Sequence, residues 1–192
     1  MNVLLVMPKT GYLWDEWSTP PIGIAYVSSY LKANQINVYT INMNLEDNSV
    51  YDVLEKNIKK YDIEILGTGE LVVNYEKIQE IARAAKAIKP EIKIWIGGGL
   101  VTNSPYEAMD LIPEADFGMI GEGEVTSVEL VNALQSAVKC SEKEIRKIPG
   151  LIVRKSDGTL YCTRKREDIE NLDALPFPDW EGFRLVETCL KY

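Results

Sequence analysis

Glycine-rich turns and carboxylates follow four apolar runs of this 192-residue chain, and their spacing suits ligand binding. The four segments read Lys9-Thr10-Gly11-Tyr12, Thr68-Gly69-Glu70-Leu71, Gly97-Gly98-Gly99 and Gly121-Glu122-Gly123-Glu124. Glycine lets a backbone approach a ligand closely or adopt a positive φ. Tight turns do not need three consecutive glycines, so we interpret these segments as one candidate binding site.

The carboxylates among these segments restrict the class of ligand. Glu70, Glu122 and Glu124 suit helix N-termini, where the macrodipole favours them, but they would repel a polyphosphate. The chain has no G-x-x-x-x-G-K-[ST] motif and no G-x-G-x-x-G after its first strand. Its third strand ends in glycine, which excludes a receiver domain with a phosphorylatable aspartate there. The sequence therefore predicts a bulky ligand with little negative charge.

The composition excludes several kinds of catalytic site. The chain contains no histidine, so it forms neither a Ser-His or Cys-His dyad nor a His-ligated zinc site. Cys140, Cys162 and Cys189 lie far apart, which argues against a disulfide scaffold or a complete iron–sulfur site and favours a reducing, cytoplasmic setting. We expect this segment to be non-catalytic on its own and to hold no metal through its side chains.

Charge and hydropathy patterning exclude other partners. The formal net charge of −8 argues against nucleic-acid binding, which requires a basic surface. The basic cluster Arg164-Lys165-Arg166 is interpreted as a solvated strand edge. No apolar run approaches the roughly 18 residues of a membrane span. The N-terminus begins directly as a strand, so we expect no signal peptide.

Short apolar strands alternate with segments of helical periodicity. The strands are predicted at 3–7, 38–41, 63–66, 92–96 and 116–120, and the helices at 22–33, about 50–58, 75–88, 105–111 and 125–138. This alternation indicates an α/β fold with a doubly wound, five-stranded parallel sheet, flavodoxin-like. Right-handed crossovers leave few topologies, among which 2-1-3-4-5 is our first choice of strand order. The carboxyl ends of all five strands, with the four segments above, then meet at one sheet edge.

The pattern changes after residue 139, which divides the chain into an α/β domain at 1–139 and a different region at 140–192. The second region begins with a polar linker. Two short strands around Ser156-Asp157-Gly158 then form a β-hairpin. A proline-punctuated extended arm follows, and we expect it to lead toward a further domain.

Six motifs in order resemble the N-terminal cobalamin-binding, Rossmann-like domain of cobalamin-dependent radical S-adenosylmethionine (SAM) enzymes. This class includes Fe–S oxidoreductases and Mg-protoporphyrin IX monomethyl ester oxidative cyclase-like proteins. The motifs are Pro20-Pro21-Ile22-Gly23-Ile24-Ala25-Tyr26, Gly67-Thr68-Gly69, Gly97-Gly98-Gly99-Leu100-Val101-Thr102, Gly121-Glu122-Gly123-Glu124-Val125-Thr126, Ile148-Pro149-Gly150-Leu151 and Leu172-Asp173-Ala174-Leu175-Pro176-Phe177-Pro178.

The resemblance implies that cobalamin is the cofactor and that the strand ends hold it. The turn from Thr68 to Leu71 and the glycines Gly97 and Gly98 would enclose the nucleotide tail. The loop from Gly121 to Glu124 would form a further wall. Cobalamin would serve methyl transfer or radical chemistry on a small-molecule substrate.

Two departures from the family pattern define what the chain would lack. Many cobalamin domains carry Asp-x-His-x-x-Gly after the first strand, but the loop from Lys9 to Trp14 has no histidine, so a bound cobalamin would have no histidine lower ligand. The radical SAM motif Cys-x-x-x-Cys-x-x-Cys is also absent. The resemblance therefore places the [4Fe–4S] cluster and SAM in a separate C-terminal radical SAM domain, before which this chain ends.

Two alternatives remain open from the sequence. The domain could be vestigial and serve only domain contacts, with its cleft closed by Tyr12, Trp14 or Trp17. It could also be a flavodoxin-like FMN carrier, in which Trp14 and Trp17 flank the flavin and Thr10, Ser18 and Thr19 meet the phosphate.

Overall fold

The computed structural model of the chain describes residues 1–10, 20–135 and 142–191. Within these residues the strands are β1 (Asn2–Met7), β2 (Asn37–Asn42), β3 (Ile65–Gly69), β4 (Lys93–Gly97), β5 (Phe117–Met119), β6 (Leu151–Arg154) and β7 (Leu160–Cys162). The helices are α1 (Ile22–Ala33), α2 (Val50–Lys60), α3 (Tyr75–Ile88), α4 (Gly99–Asn103), α5 (Pro105–Leu111), α6 (Glu124–Gln135), α7 (Glu142–Ile145) and α8 (Leu185–Lys191).

One sheet runs through the described residues in the order β2-β1-β3-β4-β5-β6-β7. Strands β1 to β5 pair in parallel and in the predicted order. The fold class is therefore confirmed, but the strand count differs from the prediction, because the hairpin joins the same sheet. Strand β6 pairs antiparallel with β5, and β7 pairs antiparallel with β6.

Local sequence explains where several helices begin. Helix α1 follows Pro20-Pro21, and α5 has a proline in its first turn, where the missing N–H costs nothing. The Ser49 hydroxyl caps α2 by accepting a hydrogen bond from the backbone N–H of Asp52 at 3.1 Å. The short helices α4, α7 and α8 were not predicted.

Two apolar clusters cover the two faces of the sheet. Helices α1 and α6 pack on one face over Leu5, Trp95 and Met119. Helices α2, α3, α4 and α5 pack on the other. The parallel strands are therefore buried on both sides, as their continuous apolar runs indicate. No helix in the described part of the chain is long and apolar enough to cross a membrane.

Candidate cofactor site

A cleft of about 710 Å³ lies at the carboxyl ends of the parallel strands, beside the N-terminal half of α1. This volume falls within the range usual for cofactor sites. The described residues that line it are Met7, Pro20, Pro21, Ile22, Gly23, Ile24, Val27, Thr68, Gly69, Glu70, Leu71, Trp95, Gly97, Gly98, Gly99, Thr102, Asn103, Met119, Gly121, Glu122, Gly123, Glu124 and Asp168. The turns after β3, β4 and β5 therefore converge on one cavity, as parallel strand ends must.

The cleft has an apolar base formed by buried side chains of the sheet. Met7, Trp95 and Met119 line it and belong to the apolar cluster under α1 and α6. The indole of Trp95 occupies the space where a side chain on Gly67 would stand, since a Cβ atom there would lie 2.3 Å from Trp95 Nε1. A flat apolar ligand could therefore rest against this base.

Two glycines of the cleft are explained by backbone packing. A Cβ atom on Gly69 would lie 2.5 Å from the carbonyl oxygen of Gly97, and one on Gly98 would lie 2.9 Å from that of Glu70. Gly98 also has φ +79°, in the left-handed region that favours glycine. These residues let the turns after β3 and β4 touch each other.

Gly97 has no such packing reason. A Cβ atom there would meet only the Cβ of Met119, at 3.9 Å, which is an ordinary van der Waals distance. Because Gly97 lines the cleft, a larger side chain at this position would extend into it. Gly97 therefore leaves this part of the cleft open.

Two buried polar atoms in the cleft have no hydrogen-bond partner. They are Thr68 Oγ1, on a residue that is 3% exposed, and Glu124 Oε2, on one that is 9% exposed. An unpaired buried polar group costs free energy, so these two atoms are candidates for hydrogen bonds to a ligand. No sequence pattern indicated that these particular atoms would lack partners.

The charged residues that line the described cleft are all acidic. They are Glu70, Glu122, Glu124 and Asp168, and no lysine or arginine is among the described lining residues. Glu122 accepts a hydrogen bond from the backbone N–H of Ile169 at 2.6 Å. The site therefore presents hydrogen-bond acceptors and an apolar base, a chemistry poorly suited to a phosphate-rich ligand.

Eleven of the fifteen predicted site residues line the cleft, from the turns after β3, β4 and β5. Lys9 is exposed and Thr10 donates hydrogen bonds to Asn44 Oδ1, and neither is among the lining residues. Gly11 and Tyr12 lie outside the described residues, as do Trp14 and Trp17 of the two alternatives. Cofactor binding by all fifteen stays a prediction.

Several residues that line the cleft were not predicted to belong to the site. Pro20, Pro21 and Gly23 belong to a motif that carried the family resemblance, which was a usable signal. Trp95 was interpreted only as part of a strand. Asp168 gave no signal, because the fold brings it to the cleft from the C-terminal arm, here the segment 163–184 between β7 and α8, which is distant in sequence from the other lining residues.

Comparison with known proteins identifies the family. The B12 binding domain family matches residues 16–131, which is more than half of the chain. The chain belongs to this family. The match spans α1 to most of α6 and includes the turns after β3, β4 and β5.

Two curated relatives match nearly the whole chain. An uncharacterized methyltransferase, PH0819, of Pyrococcus horikoshii is 32% identical over 184 residues, which cover 94% of this chain and 38% of the relative. The anaerobic magnesium-protoporphyrin IX monomethyl ester cyclase of Rubrivivax gelatinosus is 27% identical over 183 residues, which cover 94% of this chain and 32% of the relative. The chain thus spans about a third of the length of these relatives.

Solved structures of cobalamin-dependent radical SAM enzymes share the fold. The radical SAM methyltransferase TsrM from Kitasatospora setae, solved with tryptophan substrate and a SAM analogue, matches with a TM-score of 0.72 and 17% identity over 86% of this chain and 30% of TsrM. The enzyme OxsB, solved with aqua-cobalamin and SAM, matches with a TM-score of 0.70 and 19% identity over 94% of this chain and 24% of OxsB.

Proposed function

We propose that this chain binds cobalamin in the strand-end cleft and serves as the cobalamin-binding domain of a radical SAM enzyme. The observation that carries the proposal is the cleft itself, with an apolar base and two buried polar atoms without partners, in a B12 binding domain family member. Both curated relatives are longer proteins, and one is named a methyltransferase and the other a cyclase.

The residues of the cleft fit the chemistry of a corrin cofactor. A corrin presents a broad apolar ring with carboxamides around its rim. Met7, Trp95 and Met119 offer an apolar surface for the ring, and Thr68 and Glu124 offer polar atoms for the rim. Bound cobalamin would supply a cobalt centre able to carry a methyl group or take part in radical chemistry.

The chain's own contribution is to hold and orient this cofactor. Because it contains no histidine, none of its residues can place an imidazole beneath the cobalt. We assign the [4Fe–4S] cluster, SAM and the small-molecule substrate to a C-terminal radical SAM domain, and we place the whole enzyme in the reducing cytoplasm. A Cys-x-x-x-Cys-x-x-Cys motif in the longer protein would support this assignment.

Anaerobic titration with hydroxocobalamin, followed by absorbance, tests the proposal. We expect a saturable spectral change with the wild-type chain and an affinity about tenfold or more lower for Gly97→Leu, whose side chain would enter the cleft. Val186→Leu is the matched control, because it adds bulk at a position that is 73% exposed and outside the cleft.

The same titration separates the alternatives. If a chain that is folded by circular dichroism shows no spectral change at high micromolar hydroxocobalamin, the proposal is wrong and a vestigial domain is favoured. If the chain binds FMN instead, it is a flavodoxin-like carrier. We expect no FMN binding, because the carboxylates lining the cleft would repel the doubly charged phosphomonoester of FMN more strongly than the singly charged phosphodiester of cobalamin.

A further inference from the structure

Glu124 is a buried carboxyl group in the cleft whose role the family fold alone does not explain. It is the first residue of α6, lines the cleft and is 9% exposed, and its Oε2 has no hydrogen-bond partner. An acidic residue that served only to stabilise a helix N-terminus would keep its carboxylate in water or fully hydrogen-bonded. Glu124 does neither.

The surroundings of Glu124 favour its neutral form. Burial raises the pKa of its carboxyl above the ordinary value, and the charge of Glu122 adds to the rise, while the amides of Gly123 and Glu124 offset part of it. The other ionisable residues lining the cleft are Glu70, on the turn after β3, and Asp168, on the C-terminal arm. Helix α1 contributes no ionisable residue to the lining.

The arginine of the arm that contacts α6 is already engaged. Arg166 donates to Thr126 Oγ1 at 2.7 Å and forms an ion pair with Glu129, both on α6. It is not among the residues that line the cleft. No cation of the described cleft is therefore available to stabilise an ionised Glu124.

A neutral carboxylic acid carries a hydrogen-bond donor and an acceptor side by side. A primary carboxamide carries the complementary pair, so the two groups can form two parallel hydrogen bonds. We propose that Glu124, as a neutral acid, binds a rim carboxamide of the corrin in this way and selects for a carboxamide over a carboxylate at this position of the ligand. This inference rests on the proposed cobalamin function.

The experiment compares wild type, Glu124→Gln and Glu124→Leu by calorimetric titration with methylcobalamin in the dark over a series of pH values. Methylcobalamin is chosen because its methyl ligand does not ionise. Glutamine keeps a donor beside an acceptor but cannot lose a proton, whereas leucine keeps the bulk and loses both groups. We expect Leu to weaken binding about tenfold at every pH at which Glu124 is neutral.

The pH profile gives a readout that a merely structural role would not move. Wild-type affinity should be constant below the pKa of Glu124 and fall above it by about tenfold in total, while the affinity of Glu124→Gln stays flat. Glu122→Gln removes the neighbouring charge that raises the pKa of Glu124. The affinity of this variant should therefore begin to decline at a lower pH than the affinity of the wild type.

The outcomes separate this inference from the function on which it rests. If the wild type does not bind methylcobalamin at any pH, the proposed function fails. If it binds but Gln weakens binding as much as Leu, or the wild-type affinity does not change with pH, cobalamin binding stands and the role of Glu124 is wrong.

Discussion

Glu124 and Asp179 are carboxyl groups whose surroundings shift their pKa values in opposite directions. Burial near Glu122 raises the pKa of Glu124. For Asp179, burial alone would raise the pKa, but hydrogen bonds from Lys32 and Ser28 hold it below its usual range. The first group thus stands in a cleft whose described lining residues include no lysine or arginine, and the second holds the C-terminal arm.

The raised pKa of Glu124 predicts a pH-dependent cost to folding. A group with a raised folded-state pKa contributes stability that is fully present below the unfolded pKa, about 4.5, and is lost as the pH rises through the folded value. Glu124→Gln cannot ionise, so it should gain stability relative to wild type as the pH rises above 4.5. Urea denaturation at a series of pH values measures this gain.

The exposed residue Glu91 provides the control for charge loss, as Glu91→Gln. A gain for Glu124→Gln that is the same at all pH values, or that appears equally in Glu91→Gln, would contradict the assignment.

Removal of the Thr68 hydroxyl should affect ligand binding without lowering the stability of the fold. Its Oγ1 is buried without a partner, so Thr68→Val should leave the free energy of unfolding unchanged or raise it by about 1 kcal/mol. Cobalamin affinity should fall about two- to tenfold, because the ligand loses a hydrogen bond of about 0.5–1.5 kcal/mol. Thermal melting and hydroxocobalamin titration measure the two effects.

Thr188→Val is the matched control for Thr68→Val. Thr188 is also 3% exposed, but its hydroxyl accepts from Asn42 Nδ2 at 3.1 Å and donates to the carbonyl of Arg184 at 3.2 Å, away from the cleft. Thr188→Val should lower the free energy of unfolding and leave the affinity for cobalamin unchanged. The interpretation of Thr68 would be wrong if both variants lost stability equally.

The C-terminal hairpin is part of the sheet and supports its β5 edge. Strand β5 has three residues and only two register pairs with β4, so its antiparallel pairing with β6 supplies much of its support. Ile152 on β6 is fully buried and packs against Gly118 of β5. A Cβ atom on Gly118 would lie only 2.6 Å from Cγ2 of Ile152.

Truncation of the Ile152 side chain should therefore destabilise the whole α/β fold. We expect Ile152→Ala to lower the free energy of unfolding by about 2–4 kcal/mol, as for buried large-to-small changes. Chemical denaturation followed by tryptophan fluorescence measures it. Val186→Ala, at a 73% exposed position, should change stability by less than about 0.5 kcal/mol. A hairpin that was only a bridge between domains would show no such difference.

The helices and strands were predictable because their hydrophobic periods depend on residues close together in sequence. The placement of the hairpin in the sheet was not predictable in this way. The order 2-1-3-4-5, chosen first among the few topologies that right-handed crossovers allow, is confirmed, and helices α1, α3 and α5 begin and end where periodicity and prolines predict. The partner of an antiparallel strand is decided by distant residues. The continuous apolar run Leu151-Ile152-Val153 was a signal that β6 is buried on both faces.

The site was predictable where it follows strand ends and unpredictable where the chain returns from afar. The turns after β3, β4 and β5 converge because parallel strands end at one edge. Asp168 and the bond from Ile169 to Glu122 depend on the path of the arm, which no local pattern encodes. The packing of Trp95 over Gly67 likewise depends on two strands meeting in register.

The C-terminal arm connects the hairpin, the cleft and α1 across one face of the molecule. Arg166 binds α6, and Ile169 binds Glu122 beside the cleft. Farther along, Asp179 binds α1, Gly182 accepts a hydrogen bond from Thr40 Oγ1 at 2.6 Å, and the side chain of Phe183 is fully buried. The arm is thus a structural part of the domain and not a free linker.

Asp179 is the point at which this arm is fixed to α1. Its Oδ2 accepts hydrogen bonds from Ser28 Oγ and Lys32 Nζ, each at 2.5 Å, and its Oδ1 accepts one from the backbone N–H of Gly182 at 3.1 Å. A single hydrogen bond to a charged group contributes about 1.5–3 kcal/mol. Asp179→Asn should lower the free energy of unfolding by this amount at neutral pH.

The pH dependence of the stability lost in Asp179→Asn shows whether the charge of Asp179 is the cause. Because the folded-state pKa of Asp179 is lowered from 3.8, its stabilisation is present above that value and is lost as the pH falls through the folded pKa. The difference between wild type and Asp179→Asn, measured by urea denaturation, should therefore shrink below about pH 3.8. Asp173→Asn, at an exposed position of the same arm, should stay within about 0.5 kcal/mol of wild type. A penalty for Asp179→Asn that is equal at pH 3 and pH 7 would mean that shape, and not charge, holds the arm on α1.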